Sequence, residues 1–317
     1  MIALEDVRRA RVQIAPYVKR TTLERSATLS RELGANVYLK LELFQKTGSF
    51  KPRGAFNQIL QLTHDQRKHG VVGVSGGNFA QGLAYAAREL DTPALICMPE
   101  STPRNYVEAT RAYGATVDLA PTISQAFAKA DLYKAQGWNL LHPFDSPYQM
   151  AGAGMIGLEL LEDLPELTDV VISIGGGGLI AGITVAVKAL KPEARIWGVE
   201  TEGSDAMGQA LRAGKVVQIT PTSLAKTLGS PYAAEDALAL MQRHLERHVL
   251  VSDKEAFEAG VFLLERAKLN TELAASCTLA AARRLKDDFS ASDHVVLVIC
   301  GGNNSLDNWV EYRRLLS

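Results

Sequence analysis

Short apolar, β-branched runs alternate with helical segments along this chain, and glycine turns follow three of the runs. Val37, Leu39 and Leu41 alternate with polar residues and read as a strand. Val71 to Ser75, Ala94 to Pro99, Val170 to Ile174, Arg195 to Glu200 and His294 to Cys300 read as buried strands. Between them lie helical patterns, such as Phe79, Leu83, Ala86, Ala87 and Leu90 on one face. Strands alternating with helices imply βαβ units, a mostly parallel sheet and an α/β fold. The glycines cluster just after strands, at Gly76–Gly77, Gly175–Gly178 and Gly301–Gly302. Parallel α/β sheets bind ligands at the carboxyl ends of their strands, so three such turns point to one shared site.

A length of 317 residues predicts about two domains, and no Pro/Gly/Ser-rich linker separates them. The net charge of -1 gives no electrostatic footprint for nucleic acid or an anionic membrane. The three cysteines, Cys97, Cys277 and Cys300, are too few and too scattered for a disulfide framework or a zinc knuckle. Cys97, within an apolar run, reads as a small buried hydrophobe. Residues Met1 to Arg11 lack a signal-peptide core, and no apolar stretch is long enough to span a bilayer. The cytoplasm is the expected location.

Four strings carry chemistry. In Lys46-Thr47-Gly48-Ser49-Phe50-Lys51-Pro52-Arg53-Gly54-Ala55, a small polar loop leads into a lysine followed by proline. Pro52 fits the first turn of a helix and places Lys51 at the helix start. There the helix dipole disfavours the ammonium, and a neutral amine is what Schiff-base chemistry needs. The plain alternative is a solvated surface lysine. In Ser75-Gly76-Gly77-Asn78-Phe79, the turn opens a helix whose N–H groups can hold a carboxylate, and the Asn78 amide can donate to a phenolic oxygen; an ordinary N-capping turn is the alternative. The run Gly175-Gly176-Gly177-Gly178 lets several N–H groups approach a phosphate. A dinucleotide site is its sharper rival, with Glu200 near the place of a ribose-binding acid. Ile180 falls where the third glycine of that fingerprint should stand. In Cys300-Gly301-Gly302-Asn303-Asn304, a thiol at a strand end can face a heteroaromatic nitrogen; a buried cysteine in a C-terminal turn is the alternative.

Together these strings resemble the fold-type-II pyridoxal-phosphate (PLP) enzymes of the serine/threonine dehydratase and serine racemase group. The resemblance runs from Tyr17-Val18-Lys19-Arg20-Thr21 to Cys300-Gly301-Gly302, with support from Tyr113-Gly114-Ala115, His142-Pro143-Phe144-Asp145 and Gly157-Leu158-Glu159-Leu160. It implies parallel-rich twisted sheets flanked by helices. A small domain, residues 44–143, would be inserted in a large PLP-binding domain, residues 1–43 and 144–317. It implies that Lys51 is the Schiff-base lysine, Phe50 packs on the cofactor ring and Asn78 donates to the phenolic oxygen. Ser75, Gly76, Gly77, Asn78 and Phe79 would hold the substrate carboxylate, Gly175 to Gly178 the phosphate, and Cys300 would face the pyridine nitrogen. Glu272 resembles the acid of a Glu-Pro motif, with Leu273 in place of Pro. Thr222-Ser223-Leu224-Ala225-Lys226-Thr227-Leu228-Gly229 looks closest to the serine-dehydratase branch.

The resemblance implies an ammonia-lyase that converts an L-β-hydroxy amino acid, serine or threonine, to a 2-oxo acid. A racemase or another β-eliminating enzyme of the same fold is the alternative, and a nicotinamide-dependent oxidoreductase or a non-catalytic metabolite-binding protein the remote one. Gly76, where racemases carry a second Ser, favours elimination. Phe79 replaces a common His, and Ala153 and Met155 replace polar residues. Either these admit a bulkier β-substituent, as in phenylserine, or they are neutral drift. Glu200 and the Ser204 backbone match a cation site, and Ala206 stands where racemases carry an Asp, which favours a monovalent ion such as K⁺. A homodimer or larger homo-oligomer is expected. No regulatory domain like that of biosynthetic threonine dehydratases is expected after the cofactor strings.

Overall fold

The computed structural model describes residues 1–316. The chain first forms β1 (Leu23–Arg25) and β2 (Asn36–Lys40). It then forms β3 (Val71–Val74), β4 (Ala94–Pro99), β5 (Thr116–Ala120) and β6 (Asn139–Leu141). It ends with β7 (Asp169–Ser173), β8 (Arg195–Thr201), β9 (Leu245–Val251) and β10 (His294–Val298). These strands make two sheets, ordered β1-β2-β10-β7-β8-β9 and β5-β4-β3-β6. Every pairing is parallel except β1 with β2. The second sheet is thus built entirely between β2 and β7.

Strands β3 and β7 are buried along their whole length, which is why they read as unbroken apolar runs. Strands shorten slightly against expectation: Ser75, Ile174 and Cys300 lie just past β3, β7 and β10, in the connections that carry the site.

The two layers meet through helices. Helix Lys51–Leu60 packs on helix Pro147–Asp163, which packs on helix Gly178–Leu190. Their backbones nearly touch. A Cβ on Gly152 would sit 2.4 Å from Arg53 O, and one on Gly182 would sit 2.1 Å from Met150 O. One hydrophobic core surrounds the larger sheet. A second, with Phe56, Ile59, Phe79 and Leu83, joins helices Lys51–Leu60 and Asn78–Glu89 to the smaller sheet.

Four fully buried charges lie where these elements meet. Arg53 donates to Glu42 Oε2 at 2.9 Å and to Glu159 Oε1 at 2.7 Å, and Lys40 Nζ donates to Glu159 Oε2 at 2.5 Å. Two cations face two carboxylates, so the cluster is neutral as a whole.

Candidate active site

Lys51 opens its helix beside Pro52, as the string predicts. Its side chain is partly buried, and Nζ donates to Pro143 O at 2.7 Å. Burial pushes the ammonium pKa down to about 8, against the attraction of Cys300 and Glu272. About a tenth of such amines are neutral at pH 7, against well under about a thousandth of free lysines. The Phe50 ring centre lies 4.9 Å from Nζ and that of Phe79 6.0 Å. Backbone pairing fixes this loop against the one after β10. Phe50 N donates to Cys300 O at 3.1 Å, and Gly302 N donates to Gly48 O at 2.9 Å. Gly48 is left-handed, with φ +73°, and a Cβ there would meet Asn303 Oδ1 at 2.4 Å.

Asn78 starts helix Asn78–Glu89. Its Nδ2 lies 2.9 Å from both oxygens of Glu272, and its Oδ1 accepts from Asn303 Nδ2 at 2.8 Å. The donor expected to face a phenolic oxygen is therefore shared with Glu272 here. Thr227 Oγ1 at 2.6 Å and Asn303 N at 2.9 Å also donate to Glu272. Burial raises the Glu272 pKa, and these donors oppose the rise. In the preceding turn Ser75 Oγ accepts from Gly77 N at 3.1 Å, while Ser75, Gly76 and Gly77 keep partial exposure.

Cys300 Sγ lies 3.4 Å from Ser173 Oγ and 3.6 Å from Ala274 O. Burial pushes the thiol up to about 12, so the sulfur stays protonated. Gly175 to Gly178 connect β7 to helix Gly178–Leu190, and Gly177 is left-handed at φ +90°. Their N–H groups make no backbone hydrogen bond among the described residues. Phe144 packs against them: a Cβ on Gly176 would fall 2.2 Å from its ring.

Glu200 is fully buried. It accepts from Met207 N at 2.9 Å, from Gly208 N at 2.7 Å and from His248 Nε2 at 2.7 Å. Ser204 N donates to Thr201 O at 2.9 Å. Glu200 is thus already compensated by protein donors. Among the described residues no group of three or more His, Cys, Asp or Glu is placed to hold a metal ion. Ala153 and Met155 are buried in two different cores.

The sequence reading gave no role to Ser173, Thr227 or Asn303, nor to the Pro143 carbonyl. Thr227 and Asn303 lie inside strings already singled out. Ser173 carried no signal beyond its place at a strand end.

Four open N–H donors at a helix start, a lysine whose pKa burial lowers to about 8, an aromatic ring beside it and a protonated thiol suit the phosphate, aldehyde, ring and ring nitrogen of PLP. Residues 14–301 match the pyridoxal-phosphate dependent enzyme family, and the chain belongs to it. The chain is 40% identical to an L-threonine ammonia-lyase of Thermotoga maritima over 307 residues, 96% of this chain and 76% of that one. It is 35% identical to the catabolic L-threonine dehydratase of Staphylococcus aureus over 315 residues, 96% and 90% of the two chains. Its structure superposes on maize serine racemase with a TM-score of 0.93 at 32% identity, covering 99% of this chain and 98% of the other. The expected α/β, fold-type-II architecture holds, and with the family shown the nicotinamide alternative falls. No helix of the described residues is long and apolar enough to cross a membrane.

Proposed function

We propose that the protein is an ammonia-lyase that takes an L-β-hydroxy amino acid, of the kind of serine and threonine, to a 2-oxo acid and ammonia. One observation carries this reading. The Lys51 amine, with its pKa lowered to about 8, stands at the site, while Gly76 offers no group to return a proton to the opposite face of a substrate.

Pyridoxal phosphate, when bound, supplies the electron sink for charge that develops at the substrate α-carbon. The N–H groups of Gly175 to Gly178 would hold its phosphate, and Phe50 would lie beside its ring. The Ser75–Phe79 turn holds the substrate carboxylate at a helix start. Lys51 Nζ takes the α-proton and can pass it to the departing β-oxygen. Cys300, whose thiol stays protonated, would face the ring nitrogen without a charge. Such a partner would leave that nitrogen largely unprotonated, which would favour prompt loss of the β-group. Glu272 orients Asn78 through its two carboxylate oxygens. Residues 44–143 serve as a smaller domain over a larger one formed by 1–43 and 144–317, a division supported by the second sheet lying wholly between β2 and β7. We expect the protein to work as a homo-oligomer.

The names of the curated relatives support elimination. The likeness to serine racemase keeps racemisation as the second reading. The test measures 2-oxo acid and D-isomer from L-serine, L-threonine and L-phenylserine in matched potassium and potassium-free buffers. We expect 2-oxo acid to dominate for serine or threonine. D-isomer forming without 2-oxo acid overturns the lyase reading. Equal rates in both buffers leave no role for K⁺.

A further inference from the structure

A cavity of about 40 Å³ opens beside the substrate turn, between the two layers. Its walls include Gly76 and Tyr106 on one side, and Lys226, Glu272, Asn304 and Tyr312 on the other. Gly76 belongs to the turn that holds the substrate carboxylate, and Glu272 bonds Asn78 of the same turn. The cavity therefore adjoins the turn that would hold a substrate.

Its walls are rich in donors. Asn304 is 8% exposed and its Nδ2, although buried, has no hydrogen-bond partner. An unpartnered buried amide is costly, so a ligand acceptor there is favoured. Burial keeps the Tyr106 and Tyr312 hydroxyls protonated, the latter with its pKa pushed up to about 12. Lys226 adds an exposed cation at the rim. Glu272 is the one acid among the residues named here, and its oxygens already receive Asn78, Thr227 and Asn303. The space has room for a few water-sized groups and suits a carboxylate.

Resting on the lyase reading, we infer that Asn304, Tyr106 and Lys226 form a subsite for a second carboxylate, and that the preferred substrate is a small β-hydroxy amino diacid such as 3-hydroxyaspartate. The reaction balances without a co-reactant. The α-proton and β-hydroxyl leave as water, hydrolysis returns that water, and the products are a 2-oxo diacid and ammonia.

The experiment compares kcat/KM of the holoenzyme for 3-hydroxyaspartate, serine, threonine and phenylserine, by ammonia release. It then repeats the comparison with Lys226→Met and Asn304→Leu. We expect 3-hydroxyaspartate to exceed serine by about tenfold or more, and each variant to cut that ratio by about tenfold, because a site built for polar groups rejects analogues that lack them. Lys226 is exposed, so its variant does not put the fold at stake. A preference for serine, threonine or phenylserine, or a ratio that Lys226→Met leaves unmoved, overturns the subsite while the lyase reading stands. Ammonia from none of the four overturns both.

Discussion

A lysine that must attack a carbonyl near neutral pH needs its charged form destabilised without losing its place. Burial lowers Lys51 from the ordinary 10.5 to about 8. Because the folded pKa is lowered, the reactive neutral amine dominates above about 8 and falls roughly tenfold per pH unit below it. Capture of added PLP by the apoprotein, followed as borohydride-trapped lysine linkage, should rise to about pH 8 and then level. A rate still climbing at roughly pH 10 would contradict the lowered value. Lys51→Ala should trap no cofactor and lose essentially all turnover, since the nucleophile is gone. At this scale the sequence was informative because the signals are local. Pro52 fixes the helix start and Gly48 permits the left-handed turn before it. The partners of those residues were not legible. Ser173 meets Cys300 across 127 positions, Thr227 meets Glu272 across 45, and no local pattern encodes such pairs.

Among elements, the tetraglycine turn shows what the structure adds to a glycine run. Gly177 is left-handed, and a Cβ there would meet that of Ala237 at 2.5 Å, so any substitution strains the fold as well as the cradle. Gly175 has no such backbone demand, and its added Cβ would come within 3.1 Å of Leu228 O. Gly175→Ala should weaken PLP binding by about tenfold with little change in apoprotein melting. Gly177→Asp should lose more affinity and also destabilise the apoprotein by about 1–3 kcal/mol. Cofactor titration and thermal unfolding of both variants check this; unaltered affinity in Gly175→Ala would remove Gly175 from the cradle. Strands divide just as physically. The six that the sequence revealed, β2, β3, β4, β7, β8 and β10, are the interior strands of the two sheets. The four it missed, β1, β5, β6 and β9, are the edges. Edge strands are less completely covered, so β1, β5 and β9 carry exposed Glu, Thr and Arg and lose the apolar run.

Across the whole molecule, the buried cluster of Lys40, Glu42, Arg53 and Glu159 ties the larger sheet to the helix that carries Lys51. Burial pushes the Glu42 carboxyl up, but Arg53, with Lys40 and Thr21, brings it below the ordinary 4.5. A carboxyl lowered in the folded state adds stability above its unfolded pKa and loses it as pH falls through the lowered value. Arg53→Met leaves two buried carboxylates short of a partner. It should cost about 3–5 kcal/mol at neutral pH and move acid unfolding to higher pH. Urea unfolding at neutral pH and an acid titration followed by circular dichroism measure both; a variant as stable as the parent would show that Lys40 suffices.

The sequence by itself determined the α/β class, the interior strands, the lysine at a helix start and the glycine turn at the end of β7. Each depends on residues adjacent in the chain, through periodicity, proline geometry or glycine freedom. Tertiary structure alone decided that Glu272 holds Asn78, that Ser173 stands against Cys300, that Phe144 packs on the tetraglycine and that Arg53 sits among four buried charges. Those outcomes depend on which distant segments share a dry interior, where every buried polar group must find a partner in space.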